Sequence, residues 1–294
     1  MINPYFLVCM YGTCTDVYNS KQVRLSQYPV HKMDQTTLNN HYKNLAGKYD
    51  ESYSKTTAAG ESKTKYSFGG EDGARCIIEL LDVREDDLMV DLGAGTCATA
   101  GMVARIAGLK HPVLCADPVQ EMLNVAKKKK IANIETLCAT AEEFAKKDMK
   151  YDKMLIKGAV HHFPVDKMKE IFSGIETQLN VNGVILIDKI GSNRTGGMPF
   201  FKKGIEFQRN MQEGLTKILE KILEDLGFKI DKKIINDEMK ITKEEAIKYI
   251  KNKSISLISA LSEEEIEEGI AEVEREYGDV ISFRMTREMI IARK

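Results

Sequence analysis

Two acids and two glycines carry the most readable chemistry in this chain. The run VDLGAGT places Asp91, Gly93 and Gly95 between an apolar stretch and a helix-like one. Glycines at such a handover remove side chains, so backbone N–H groups stay open to a ligand. The spacing Gly93-x-Gly95-x-x-Ala98 by itself permits a dinucleotide site. Asp91 points elsewhere, because its charge repels a pyrophosphate and suits an ammonium or a sulfonium. Asp117 closes the next apolar run, where a carboxylate can accept hydrogen bonds from both hydroxyls of a ribose. Together these residues suggest a nucleoside that carries positive charge.

Further polar groups cluster by position. His161 and His162 follow the run YDKMLIK, at the end of a strand where parallel sheets bind ligands. The pair reads either as a general base or acceptor-orienting group, or as one ring packed under a ligand and the other in solvent. Tyr42, Tyr49 and Tyr53 share one helical face and read equally as core or as a cap over a site. The run Lys127 to Lys130 reads as positive charge at a helix C-terminus.

The elements that must position these groups follow from periodicity. The segments 88–93, 112–117, 134–139, 151–157 and 183–189 are short apolar runs, as expected of strands covered on both faces. Helical patterns fall between them. Asp117-Pro118 predicts a helix start with Pro at the first helical position. Thr140 to Glu143 is a capping box, and Met168, Ile171, Phe172, Ile175 and Leu179 form one apolar stripe. The alternation implies βαβ units and a parallel sheet. Near the end, a helix over 211–227 closes at Gly227, and strands are expected over 228–235 and 279–294. Two capping boxes between these strands, Thr242 to Glu245 and Ser262 to Glu265, predict helices over roughly 243–260 and 263–277. Within the second, Ile266, Ile270, Val273 and Tyr277 form a buried stripe.

These elements fit the bulk properties. The chain has 294 residues, 43% hydrophobic, and a formal net charge of −1. That supports a sizeable core and gives no basic excess of the kind nucleic-acid binders show. No apolar run approaches the roughly 20 residues that span a bilayer. Cys9 and Cys14 have no later Cys or His pair to complete a zinc site, so no metal is expected. The six cysteines read as reduced thiols of an intracellular, cytoplasmic protein. Residues 1–35 read as a poorly ordered extension, and 36–294 as the functional domain. A helical lid at about 239–278 lies between its last two strands.

In the order and spacing of VDLGAGT, VLCADPVQEML, CATAEEF, DKMLIKGAVHHF and LNVNGVILI, the chain resembles the class I S-adenosylmethionine-dependent methyltransferases over roughly residues 37–294. The resemblance implies an α/β, Rossmann-like, seven-stranded, mostly parallel sheet with an antiparallel last strand and helices on both faces. It implies S-adenosyl-L-methionine as cofactor. Asp91, Gly93, Ala94 and Gly95 would lie along its methionine part, Asp117 on the ribose, Pro118, Ala141 and Glu142 near the adenine, and Lys157 in the floor. Cys97 stands where the family often has a third glycine, and Thr140 where many members have Asp.

Methyl transfer from a sulfonium is an in-line displacement with a neutral leaving group. Alignment and water exclusion are therefore its main requirements. The Asn/Asp-Pro-Pro-Tyr motif of base and glutamine methylation is absent after strand four, as is a paired-Glu loop. A small-molecule acceptor is therefore expected, with no nucleic-acid or membrane partner, and the oligomeric state stays open. Tyr49, Tyr53, Arg194, Phe200 and Tyr249 are the candidate acceptor contacts, with Phe201, Lys253 and Ser256 beside them. His161 and His162 are the candidate catalytic pair. A non-catalytic protein that binds the same cofactor, and an NAD(P)-dependent oxidoreductase, remain as alternatives.

Overall fold

Apolar runs alternate with amphipathic helices through the segment 70–190, and this alternation builds the sheet. The computed structural model describes residues 39–43, 46, 70–191, 198–252 and 261–294. Residues 39–43 are helical. Then follow α1 (Gly70–Leu81), β1 (Met89–Leu92), α2 (Ala98–Ala107), β2 (Val113–Asp117), α3 (Gln120–Lys129), β3 (Ile134–Cys138), α4 (Ala141–Ala145), β4 (Tyr151–Lys157), α5 (Met168–Gln178) and β5 (Leu179–Ile190). The chain finishes with α6 (Lys202–Asp225), β6 (Lys229–Thr242), α7 (Lys243–Lys251), α8 (Glu263–Glu276) and β7 (Val280–Arg293).

The seven strands lie in the order β3-β2-β1-β4-β5-β7-β6. The pairs β1–β2, β1–β4, β2–β3 and β4–β5 are parallel, while β7 runs antiparallel to both β5 and β6. This is the expected Rossmann-like sheet with helices. Because β1 is central and the chain works outward to β3 before returning to β4, a crevice opens where the β1 and β4 ends diverge.

The two faces of the sheet are covered by separate apolar clusters. Val90, Ile156, Ile185 and Ile187 pack against α5 and α6 on one side, and Met89, Leu155 and Leu186 against α1 and α2 on the other. That double burial is why the strands are apolar throughout. At the antiparallel joint, Arg287 pairs with Asp188 and Lys189 with Glu288 at 2.7 Å, all four buried.

Local signals are obeyed where they are strongest. All three capping boxes form, at Thr140, Thr242 and Ser262. Gly227 (φ 85°) ends α6 with Phe228 N donating to Leu223 O and Gly227 N to Glu224 O, a Schellman closure. Several boundaries differ from expectation, among them β5, which begins at Leu179 rather than 183 and so takes Leu179 out of the expected helical stripe. The helix α3 begins at Gln120 with Val119 as its cap, so Pro118 precedes the helix rather than opening it. The helix α6 begins nine residues before the expected 211, at Lys202, because Gly204 and Gln208 extend its buried face despite lacking apolar side chains. The strand β6 continues to Thr242, in register with β7 from Lys229↔Arg293 to Thr242↔Val280. Its outer half alternates buried Ile235, Asp237 and Met239 with exposed Asn236, Glu238 and Lys240, a strand period carried by mostly polar residues. The helical insertion therefore starts at Lys243, not at 239.

The outer β6–β7 ribbon, α7 and α8 share a small core of their own, which includes Met239, Ile250, Val273 and Phe283. The expected extension at 1–35 lies outside the described residues.

Candidate functional site

The cleft is built around the handover from β1 to α2. Gly93 and Gly95 adopt φ of 80° and 55°, the left-handed region that glycine occupies without a steric penalty. Gly93 has a second reason to lack a side chain, because a Cβ there would stand 2.3 Å from the Cβ of Ala159. The turn is tied to β2 by Gly93 N and Ala94 N, which both donate to Ala116 O, at 2.8 and 3.1 Å.

Asp117 completes this tie. Its Oδ2 accepts from Gly95 N and its Oδ1 from Val119 N, each at 2.8 Å. The carboxylate thus shapes the turn as well as facing the cleft. An ionised carboxylate offers about four lone-pair sites, so each oxygen keeps one for a ligand hydroxyl. Burial raises the Asp117 pKa, and the two backbone N–H groups oppose that rise.

Asp91 sits at the end of β1 with 2% exposure, behind the turn rather than on the cleft wall. Burial, helped by the charge of Asp117, pushes its pKa up to about 7, while the charge of Lys157 acts in the opposite direction. Two buried acids with raised pKa values, beside one lysine, form a site whose ionisation a bound cation would favour.

The cleft encloses about 750 Å³ including its open mouth. Gly93, Gly95 and Asp117 line it on the β1–β2 side, and Pro118, Ala141 and Glu142 lie at the β2–β3 ends. Lys157 and Ala159 form the floor after β4. Ala94 belongs to the same turn but does not line the cleft.

Of the histidine pair, His162 lines the cleft and His161 does not; the rings lie against each other, tilted by 46° with centroids 3.9 Å apart. Tyr42, from the helical residues 39–43, packs on Val119 and Met122 at one wall. Its hydroxyl lies 2.9 Å from His162 Nε2 at the other wall. This strap across the cleft was the feature least visible in sequence, where Tyr42 read as core or cap and nothing tied it to residue 162. Met122 and Phe163 also line the cleft, and ordinary helix and turn patterning gave no signal for either.

The expected acceptor contacts fare differently. Phe200 is 1% exposed and packs edge-to-face on Phe283, with centroids 5.1 Å apart, inside the core of the outer lobe. Phe201 is equally buried there, and its ring occupies the space left by Gly269, 2.6 Å from where a Cβ would stand. Phe200 is thus a packing residue and not a cleft residue, because the lobe needs large apolar groups to close its own core. Tyr249 is half-buried on α7 and does not line the cleft. Tyr49, Tyr53, Arg194, Lys253 and Ser256 lie outside the described residues.

This arrangement of glycine turn, buried acid and cleft at the carboxyl edge has relatives. Residues 89–183 match the family model described as a methyltransferase domain. The match covers the β1-to-β5 part of the sheet. No curated protein sequence matches the chain. Among solved structures, the cyclase SpnF superposes with a TM-score of 0.55 at 13% identity, over 88% of this chain and 95% of that one. The cyclopropane synthase MmaA2 from Mycobacterium tuberculosis gives 0.52 at 14%, over 86% and 94%. Phosphoethanolamine N-methyltransferase 2 from Haemonchus contortus, solved with S-adenosyl-L-methionine, gives 0.50 at 19%, over 86% and 60%. These likenesses establish the class I methyltransferase fold. The matched segment spans the glycine turn, Asp117, the β3 end and the histidine pair.

Proposed function

We propose that the protein transfers a methyl group from S-adenosyl-L-methionine to a small-molecule acceptor. The observation that carries this reading is the cleft itself. An open glycine turn and Asp117 with unused lone pairs face an apolar wall of Pro118, Val119 and Met122, and the Tyr42–His162 pair spans the far side. When bound, the cofactor supplies an electrophilic methyl on a sulfonium.

The chain's own residues then have distinct tasks. The glycine turn lets the methionine part lie against backbone. Asp117 takes the ribose hydroxyls, while Thr140 and Glu142 flank the adenine. Asp91 and Lys157 set the charge behind the turn, where Asp91 in its ionised form favours a cation. Tyr42 fixes the His162 ring by its Nε2 and helps keep water from the reacting atoms. His162 accepts the proton that an N–H or O–H acceptor loses. His161 supports that ring by tilted ring contact. The lobe of α7 and α8 is assigned to cover the acceptor.

The deciding experiment incubates the protein with methyl-labelled S-adenosylmethionine and a metabolite extract. Binding is followed by calorimetry and products by mass spectrometry. Labelled small molecules support the reading. Binding with no labelled product across broad extracts favours a non-catalytic cofactor-binding protein. Binding of NAD in place of S-adenosylmethionine removes the reading.

A further inference from the structure

A polar stripe runs down the otherwise mostly apolar, sheet-facing side of α6. Gln208, Gln212 and Thr216 are spaced four apart, so they share one face. Met211, Leu215 and Leu219 fill the buried side around them. Gln212 and Thr216 belong to a closed network. Lys189 Nζ donates to Glu288 Oε2 at 2.7 Å and reaches Gln212 Oε1 at 3.4 Å. Thr216 Oγ1 lies 2.8 Å from Glu288 Oε2 and 2.9 Å from Gln212 O. The two charges neutralise each other out of solvent. Gln208 is the exception in the stripe. It is only 7% exposed, yet among the described residues its amide has no hydrogen-bond partner, and neither the amide nitrogen nor its oxygen is sealed.

The contacts of the stripe place it beside the cleft. In the β4–β5 register Asp188 stands opposite Lys157, a floor residue of the cleft, and Lys189 follows Asp188. Gln212, in contact with Lys189, is therefore level with that floor. From there α6 descends along the sheet, since Glu220 pairs with Lys232, and Lys232 is in register with Ile290 and through it with Ile187. Gln208 lies one turn the other way, about 6 Å beyond Gln212. That is past the carboxyl ends of the strands, where parallel sheets bind ligands. One turn further, Pro199 lies against Gly204, where a Cβ would have no room. The amide thus sits between the network and the Pro199 ring, outside the lining of the cofactor cleft.

We propose that Gln208 is a specificity-determining contact of the methyl acceptor. The group it takes is neutral and both donates and accepts hydrogen bonds, such as a carboxamide or a hydroxyl beside a carbonyl. This assignment rests on the methyl-transfer reading above. A Gln amide offers two donors and an acceptor oxygen, which matches such a group in both directions. An anion fits poorly, because the neighbouring lysine is already neutralised by Glu288 and a buried charge without a partner is costly. The network below the amide fixes α6 to β5 and β7, so Gln208 is presented from a rigid element. A buried amide with no partner costs stability, the pattern expected where a side chain is kept for a ligand.

The test uses the full chain and three readouts. Thermal unfolding compares wild type with Gln208→Met, an apolar side chain of similar length, and with Gln208→Leu should the methionine variant fold poorly. A higher midpoint is expected, and a lower one in both variants would show that the amide braces the fold and overturn the proposal. Transfer from methyl-labelled S-adenosylmethionine to a metabolite extract should fall at least about tenfold in the variant when the extract is dilute. It should recover as the extract is concentrated, while S-adenosylhomocysteine affinity by calorimetry stays within about twofold, the signature of lost acceptor binding. Undiminished labelling at dilute extract overturns the assignment. The third readout is the side-chain amide resonance of Gln208 in nitrogen-labelled protein, identified by its absence from the variant. It should move when unlabelled extract is added to protein saturated with S-adenosylhomocysteine. A resonance that stays in place overturns the proposal, whether or not product forms. A resonance that moves in a wild type that labels nothing keeps the ligand contact and removes the methyl-transfer reading instead.

Discussion

The turn after β1 and the lobe at the tip of the β6–β7 ribbon obey opposite rules. In the turn, almost every atom is constrained by backbone geometry. Gly93 has no room for a methyl group, and Asp117 holds two N–H groups at fixed distance. In the lobe, Phe200, Phe201, Ile250 and Val273 fill space, and apolar cores accept volume-conserving changes at small cost. One region is fixed residue by residue, whereas the other fixes a shape by total volume. The contrast explains why an acid at 117 stands out in sequence by its type, while Phe200, expected as an acceptor contact, is buried in the lobe's own core.

The sharpest test of that separation is Phe201→Ala. The ring is 1% exposed and packed on Gly269, and truncating a buried Phe costs about 3–5 kcal/mol. The unfolding midpoint should fall markedly, while the affinity for S-adenosylmethionine of the folded protein stays within about twofold. A parallel loss of affinity would show that the lobe and the turn are one mechanical unit.

Gly93→Ala should do the reverse. The residue would be forced to hold φ of 80° with its Cβ against Ala159, two penalties that together reach about 2–4 kcal/mol. Since the turn can shift to relieve them, the effect is expected in binding, at least about tenfold weaker, with the sheet intact by circular dichroism. Wild-type affinity in this variant would mean that the ligand does not lie on the turn.

Asp117→Ala lies between these two, because Asp117 belongs to both scaffold and site. Loss of ligand hydrogen bonds to a charged group costs about 1.5–3 kcal/mol, or roughly 10- to 150-fold in affinity. Val119 N and Gly95 N also lose their acceptor, so the melting temperature should drop as well. Asp117→Asn, which keeps one carbonyl oxygen, should recover part of the stability and less of the binding. A variant that loses stability but keeps affinity would make Asp117 a brace only.

The legible parts were those whose physics is local. Capping boxes, the closing Gly227 and the β1 turn are each decided within a few residues, and each formed where expected. The parts that escaped depend on distant partners. The start of α6 at Lys202 depends on Gly204 packing against Pro199 and Phe201. The outer half of β6 is polar on its exposed face and becomes a strand only through its register with β7. The contact between Tyr42 and His162 joins residues 120 positions apart, and no spacing rule reaches that far. Asp91 was read as lying along the cofactor, and its place behind the turn rather than on the cleft wall needed the sheet.

The finest distinction concerns charge and is expected to be the smallest effect. Asp91 has a folded-state pKa of about 7, against about 3.9 for an unfolded Asp. Below about pH 4 it is protonated in both states and contributes no pH dependence. As pH rises toward 7, the unfolded chain ionises while the folded one keeps its proton, so this group lowers stability progressively; above 7 the deficit is complete. Asp91→Asn removes the deficit, so its stability advantage over wild type should grow between about pH 4 and 7 and then level off. Binding should show the opposite trend, because a cationic ligand favours the ionised acid and wild-type affinity should rise as pH passes through about 7. The asparagine variant should bind with little dependence on pH over that range. The lobe offers an internal control: the pH profile of Phe201→Ala should run parallel to that of wild type. Chemical denaturation and calorimetry across the range measure both trends. A wild-type binding profile flat from pH 6 to 8 would show that Asp91 never senses the ligand's charge and that its role is confined to the fold.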